Sequence, residues 1–333
     1  MPPAPRHTEL VFGRRVALAG LAALAAPAVR AATSWPDRPV RLIVPFGAGG
    51  AIDTLSRTVA QGFPAQARGQ TLVVENRSGA NGTVAGALVA QSKPDGLTLM
   101  MADLGPNVIG KELQPSVPYN PLTAFTPICH LVNLPPVLLV PAALPVRTPA
   151  ELFEMARRRN GEMPYAHPGI GYVGHLAQEL MLKEAGIRMT AVPYRSGAEV
   201  ARSLLANETQ SSIITVSTSL PFIREGKLRA LAVTGAQKVP ALPELPLLSD
   251  TLPGFRAAGW HGVVGPAGLP PEIVAAANAA CNGVLATPEA REAITQRQWA
   301  EIVGGTPEQF GDFMQAESAR WTPLIRALGL RAE

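Results

Sequence analysis

Cysteine is nearly absent from this chain: Cys129 and Cys281 are the only two in 333 residues. They lie far apart and in no C-x-x-C pair; an oxidising compartment permits a disulfide, but two cysteines do not predict one. Two free, buried thiols are expected. Charge is also scarce, at 16% of residues. The formal net charge of +4 is mostly carried before residue 32, where Arg6, Arg14, Arg15 and Arg30 face only Glu9. The remainder has no basic run, so no nucleic-acid partner is expected. After residue 31 no apolar run is long enough to span a bilayer. Catalytic signatures are missing as well. There is no G-x-S-x-G elbow, no H-E-x-x-H and no cysteine cluster, so the expectation is no enzyme and no cofactor.

What remains is apolar and finely divided. Hydrophobic residues make up 47%, and 33 prolines and 31 glycines imply many short turns. The length suits two domains with a large core, and disorder is not expected. Residues 1–31 have the layout of an export signal. Arg14-Arg15 precede an apolar run from Val16 to Val29, and Val29-Arg30-Ala31 fits cleavage after about Ala31. An uncleaved anchor is the alternative. The paired arginines leave the general and twin-arginine routes both open.

The stretch Arg41 to Arg57, RLIVPFGAGGAIDTLSR, reads as a buried strand, a glycine turn and the start of a helix. Leu42, Ile43 and Val44 form the strand. Gly47, Gly49 and Gly50 permit the turn, and Asp53, Leu55, Val59 and Phe63 follow at helical spacing. Unpaired N–H groups at such a helix start favour an anion; an ordinary βα turn is the plain alternative. Ile52 stands where a dinucleotide fingerprint needs its third glycine, and no lysine follows as in a Walker loop. A carboxylate or other small oxyanion held by backbone is therefore expected.

The theme recurs. A strand at Thr71–Val74 runs into Gly79 and Gly82, and a third at Leu97–Met101 into Leu104, Gly105, Pro106 and Asn107. Strands follow at Pro127–Val132 and Val137–Val140. Thr148-Pro149 opens a helix with Glu151 completing a capping box, and Thr287-Pro288 and Thr306-Pro307 repeat the start. From Tyr165 a short strand enters AHPGIGYVGHL and a second glycine turn. Strands at Met189–Val192, Ser212–Val216 and Leu228–Val233 follow, with a helix through Leu205. The tail after about Trp260 reads as helices, Pro271–Leu285 and Pro307–Leu328. Two α/β halves, each with a glycine turn onto a helix, suggest two lobes around a cleft.

These strings together carry a resemblance: WPDRPVRLIVPFGAGGAID, VVENRSGANG, KPDGLTLM, VPYNP, Ala166 to Leu176, VPYRSGA, GKLRALAVT, GWHGVVGPAG and GGTPEQF. The chain resembles the periplasmic solute-binding proteins of tripartite tricarboxylate transporters, the Bordetella uptake gene (Bug, TctC-like) type. The resemblance implies an α/β, two-lobed periplasmic-binding-protein clamshell, type II-like, each lobe a mostly parallel sheet flanked by helices. Lobe 1 is expected over 35–132 plus 257–333, and lobe 2 over 133–256. It implies capture of a small carboxylate without catalysis, and delivery to a membrane permease of two unlike subunits. A monomer is expected. Two readings compete with transport: a ligand-sensing clamshell beside a membrane signalling protein, and an exported hydrolase.

The candidate ligand residues are Phe46, Ala48, Gly49, Gly50, Ala51 and Asp53 in the first loop, Gly105 after the third strand, Gly169, Ile170, Gly171, Tyr172 and His175 in the second loop, and Tyr194. The carboxylate is expected on the N–H groups of Ala48–Ala51 and Gly169–Tyr172. Asp53 either accepts N–H bonds at its helix start or faces the cleft, with the cleft favoured. His175 and Glu179 share a helix face and could form half a metal site, but fixing the second loop is the expected role of His175. Tyr194 and Trp260 are either core or cleft aromatics. Arg195 is the nearest candidate for added charge. His167 and Tyr172 replace small residues of the family pattern, and Gln210 and Ile214-Thr215 also depart from it. Ligand identity is therefore left open.

Overall fold

The structure is a computed structural model that describes Met1, residues 35–194 and residues 196–332. The expected export signal and Arg195 lie outside the described residues. Two sheets organise the chain from Trp35 onward.

The first sheet is built from β1 (Val40–Val44), β2 (Leu72–Asn76), β3 (Thr98–Ala102), β4 (Phe125–Leu134), β10 (Gly259–Pro266) and β11 (Glu301–Gly304), in the order β11-β4-β10-β3-β1-β2. Strand alternation places β1 between two layers. Val40, Leu42 and Val44 pack with Leu55, Val59 and Phe63 of α1 (Ala51–Gln66), while Ile43 joins the opposite cluster with Met100. Helix α8 (Pro271–Ala286) adds Ala277, Cys281 and Val284 to the first of these layers. Cys129 and Cys281 are both free and buried there.

The second sheet runs β7-β6-β8-β5-β9, from β5 (Pro136–Pro141), β6 (Pro164–His167), β7 (Thr190–Pro193), β8 (Ser211–Thr215) and β9 (Leu228–Val233). Both sheets are mixed but mostly one-directional: β1, β2, β3 and β4 run one way in the first and β6, β7, β8 and β9 in the second, as expected. The parallel pairs are those of the glycine-turn units, β1 with β2 and β3, and β6 with β7 and β8. Every pairing made by β4, β5 or β10 is antiparallel. The physical reason is connectivity. Only Pro135 separates β4 from β5, so the chain leaves one sheet and enters the other without a crossover helix.

The return passage lies beside the first. The Thr234 hydroxyl is 3.1 Å from the Pro136 carbonyl oxygen and 2.9 Å from that of Ala257. The Ala257 N–H donates back to the Thr234 carbonyl oxygen at 2.8 Å. The two passages between the sheets are thus tied to each other.

Helix starts follow from threonine. Thr306 and Gln309 close a reciprocal capping box at 3.3 and 2.9 Å. At Thr148 the hydroxyl accepts the Glu151 N–H, but the Glu151 carboxylate takes the N–H of Arg147 instead, so the expected box is displaced by one residue. The last helix (Pro307–Leu328) buries Phe310, Met314, Trp321 and Ile325. Trp260 of β10 is 1% exposed, in edge contact with Phe310 and Phe313. Its indole N–H donates to Glu317, which also accepts from Trp321. Trp260 is thus a core residue. No helix among the described residues is long and apolar enough to cross a membrane.

Candidate ligand-binding site

Loops at the carboxyl ends of the parallel strands converge from both sheets. The β1 loop leaves Ala48, Gly49 and Gly50 exposed, with Phe46 half-buried and Ala51 opening α1. Asp53, by contrast, is buried and fully engaged. Its Oδ2 accepts from the Gly49 N–H (2.9 Å) and Arg57 Nε (3.0 Å); its Oδ1 accepts from Asn76 Nδ2 (3.0 Å) and Arg57 (3.1 Å). Burial pushes this carboxyl up, but the bonds from Arg57, Gly49 and Asn76 outweigh it and hold it below the usual range. Of the two readings of Asp53, the geometry favours the internal one: the carboxylate shapes the loop from within. Asn76 also donates to the Phe46 carbonyl oxygen at 3.0 Å, fixing the other end.

The second loop, between β6 and α5 (Val173–Ala185), is held in the same manner by imidazoles. His167 Nδ1 accepts the N–H of Gly169, and His175 Nδ1 that of Gly171, each at 3.3 Å. The Tyr172 N–H donates to the Gly169 carbonyl oxygen at 3.3 Å. The two rings stack with centroids 4.0 Å apart. Burial, and then the neighbouring His167, lower His175 to about 3; burial also lowers His167. Both rings are therefore neutral acceptors at neutral pH. His175 fixes the loop, as expected. Glu179 accepts the Tyr165 hydroxyl, and among the described residues no group of three or more His, Cys, Asp or Glu could hold a metal.

These bonds move the expected anion contacts. The N–H groups of Gly49, Gly169, Gly171 and Tyr172 already have internal acceptors. The first-turn N–H groups of α1 and α5, Ala51 to Asp53 and Val173 to His175, have no intrahelical partner by helix geometry. They carry the positive end of each helix dipole.

The second loop meets the loops that follow β2 and β3 around Asn81. A methyl placed on Gly171 would lie 2.1 Å from Leu113 Cδ1 and 3.3 Å from Asn81 Nδ2. Leu113 ends α3 (Gly110–Leu113) on the first sheet's side. Gly105 sits equally close, since a methyl there would come within 2.7 Å of the Asn81 carbonyl oxygen. The Asn81 Nδ2 atom is buried with no hydrogen-bond partner among the described residues. Ile170 packs on the core that joins the two sheets, and Tyr172 does the same while half-buried. Burial and the charge of Asp103 push the Tyr172 phenol up to about 12. Tyr194 is half-buried and packs against the cluster that holds Val137 and Ala166, its N–H donating to the His167 carbonyl oxygen at 2.8 Å.

Three residues here were not singled out from the sequence: Asn81, Asp103 and His261. Asp103 follows β3, one position past a strand carboxyl end, and that position was the available signal. His261 lies inside β10, a strand that the sequence did not reveal.

Comparison with known proteins agrees with this geometry. Residues 55–330 match the profile of the tripartite tricarboxylate transporter family receptor, TctC. An R. palustris protein solved with adipate is 34% identical and superposes with a TM-score of 0.79 over 89% of this chain and 98% of its own. The periplasmic binding protein BugD is 29% identical, with a TM-score of 0.76 over 90% of this chain and all (100%) of its own. MatC from Rhodopseudomonas palustris with bound malate is 29% identical, with a TM-score of 0.76 over 87% and 100%. All three share this chain's two-sheet fold, and the matching family is one of receptors, not enzymes. The chain belongs to the tripartite tricarboxylate transporter receptor family, the TctC and Bug group of periplasmic solute-binding proteins.

Proposed function

We propose that the chain is exported, cut after about Ala31, and works in the periplasm as a solute receptor. It captures a small carboxylate between lobe 1 (35–132 and 257–333) and lobe 2 (133–256) and delivers it to a tripartite tricarboxylate-type permease of two unlike subunits. The observation that carries this reading is the meeting of loops from both sheets, with Gly171 against Leu113 and Asn81. Two helix starts, α1 and α5, supply N–H groups there, and hydrogen bonds to a charged group are worth about 1.5–3 kcal/mol each. Adipate and malate in the related structures support a carboxylate.

The first loop contributes Phe46 and the backbone from Ala48 to Ala51. Gly105, and Gly169 through Tyr172, complete the wall. Asp53 and His175 act behind them as positioning residues. Because both lobes contribute, ligand favours a closed state. A thermal-shift screen against a carboxylate library, followed by calorimetry, tests the capture. Small-angle scattering with the best ligand tests closure. Saturable binding with compaction is expected. Absence of binding by every carboxylate, or turnover of a bound ester or amide, would overturn the reading.

A further inference from the structure

Asp53 in the first turn of α1 and Asp103 just after β3 each accept a loop N–H on the first sheet's side, and they differ in one respect. Asp53 has hydrogen-bond donors on both oxygens and a side chain only 4% exposed. Asp103 has a side chain 21% exposed. Its Oδ1 accepts one bond, from the Gly105 N–H at 3.3 Å. Its Oδ2 lies 3.2 Å from His261 Nδ1. That nitrogen is buried and makes no hydrogen bond among the described residues. His261 as a whole is 8% exposed, so it does not reach bulk water to compensate. No arginine or lysine among the described residues pairs with Asp103. An ionised carboxylate accepts about four hydrogen bonds, so with one bond from Gly105 and His261 Nδ1 at 3.2 Å, Asp103 retains open acceptor capacity. Tyr172, from the opposite sheet's loop, feels the charge of Asp103. Gly105, whose N–H Asp103 accepts, lies against Asn81, as does Gly171 of that loop, so the carboxylate stands beside the place where the second loop meets the first sheet's loops.

We propose that Asp103, seated beside His261, makes this cleft select a carboxylate whose far end carries a hydrogen-bond donor, a hydroxyl or an ammonium, over a plain dicarboxylate. The inference rests on the carboxylate-capture reading above. One end of the ligand sits on the helix starts, which favour an anion. The other end meets an acceptor that a second ligand carboxylate would face as a like charge in a partly desolvated site. A donor at that end completes the acceptor shell of Asp103 instead. Discrimination thus combines an attractive contact with a repulsive one.

The test is calorimetry on the mature full chain with two matched sets: adipate, 6-hydroxyhexanoate and 6-aminohexanoate, and the four-carbon set succinate, 4-hydroxybutyrate and 4-aminobutyrate. In the wild type the best donor-bearing ligand should bind at least about tenfold tighter than the dicarboxylate of its length. Asp103→Asn keeps an oxygen for the Gly105 N–H but removes the charge. It should close that gap by strengthening the dicarboxylate while leaving the melting temperature unchanged. A dicarboxylate that binds the wild type as tightly as its hydroxy and amino partners overturns the inference alone. So does an Asp103→Asn variant that shifts all ligands equally, which is the signature of a merely structural residue. Failure of all six ligands to bind overturns the inference together with the capture reading, and is distinguished by the absence of any heat.

Discussion

His167 and His175 lie face to face, ring centroids 4.0 Å apart, and each receives a loop N–H on its Nδ1. An imidazolium nitrogen cannot accept, so protonation of either ring removes a loop anchor, and protonation of both places two positive charges in contact. Both groups are held below the ordinary histidine value, His175 at about 3. The unfolded chain therefore binds more protons than the folded one between about pH 6.5 and the folded values, and stability falls as pH falls through that window. From His175 alone the loss at pH 5 is about 2 kcal/mol relative to neutral pH. Urea melts at pH 7 and pH 5 check this. His175→Gln retains an acceptor but cannot titrate, so its acid loss should be smaller than that of the wild type. Equal losses would show that the pair does not govern the acid response.

Gly50 precedes α1 with φ −78° and ψ 172°, a conformation open to any residue. A methyl there meets only the Gly47 carbonyl oxygen, at 3.8 Å. Gly50→Val should consequently fold with stability within about 1 kcal/mol of the wild type. Its isopropyl group would stand in front of the first-turn N–H groups. Carboxylate affinity should fall by more than about tenfold in calorimetry. Normal binding by this variant would remove the first loop from the site.

Asp53 supports the same loop from behind. Asp53→Ala leaves the Gly49 N–H and one Asn76 contact without their acceptor. The expected cost is about 2–3 kcal/mol of stability, with weaker ligand binding because the loop is no longer fixed. Asp53→Asn keeps part of the acceptor set and should lie between the two. Equilibrium unfolding and calorimetry on both variants check the order. An alanine variant as stable as the wild type would mean that the carboxylate does not organise the loop.

Much of this was legible because glycine turns and threonine caps act locally. The last helix begins at the Thr306-Pro307 signal and ends at Leu328 as read, and β9 spans Leu228–Val233 as read. What was hidden depends on partners distant in sequence. Strand β10, GWHGVVGP, is buried at every position, so it shows no alternation. Its glycines look like turn residues, but Gly262 is small because Phe310 lies on it, where a methyl would come within 2.3 Å of the ring. Helix α7 (Val216–Arg224) holds Pro221 and three hydroxyl residues, which masks it. The site was legible as two loops and not as chemistry. The spacing of His167 and His175 does not disclose that they accept the loop's own N–H groups. Nothing in the sequence shows that Asp53 is engaged while Asp103 is open.

The contact between Gly171 and Leu113 gives the most direct test of how the two lobes meet. Gly171 has φ +79°, which a side chain rarely adopts, and its Cα faces Leu113 Cδ1. Gly171→Ala therefore carries two separable penalties. The backbone strain is about 1–2 kcal/mol and is present whether the cleft is open or closed. The collision with Leu113 exists only where the loops are together. Leu113→Ala removes the colliding methyl groups, though it leaves a gap in a side chain that is 1% exposed. The double variant should then recover ligand affinity relative to Gly171→Ala while remaining less stable than either single variant. Calorimetry reads the first quantity and urea unfolding the second. If the added Leu113→Ala change lowers affinity further, the contact holds the cleft together through Leu113 packing, and closure does not depend on the space beside Gly171.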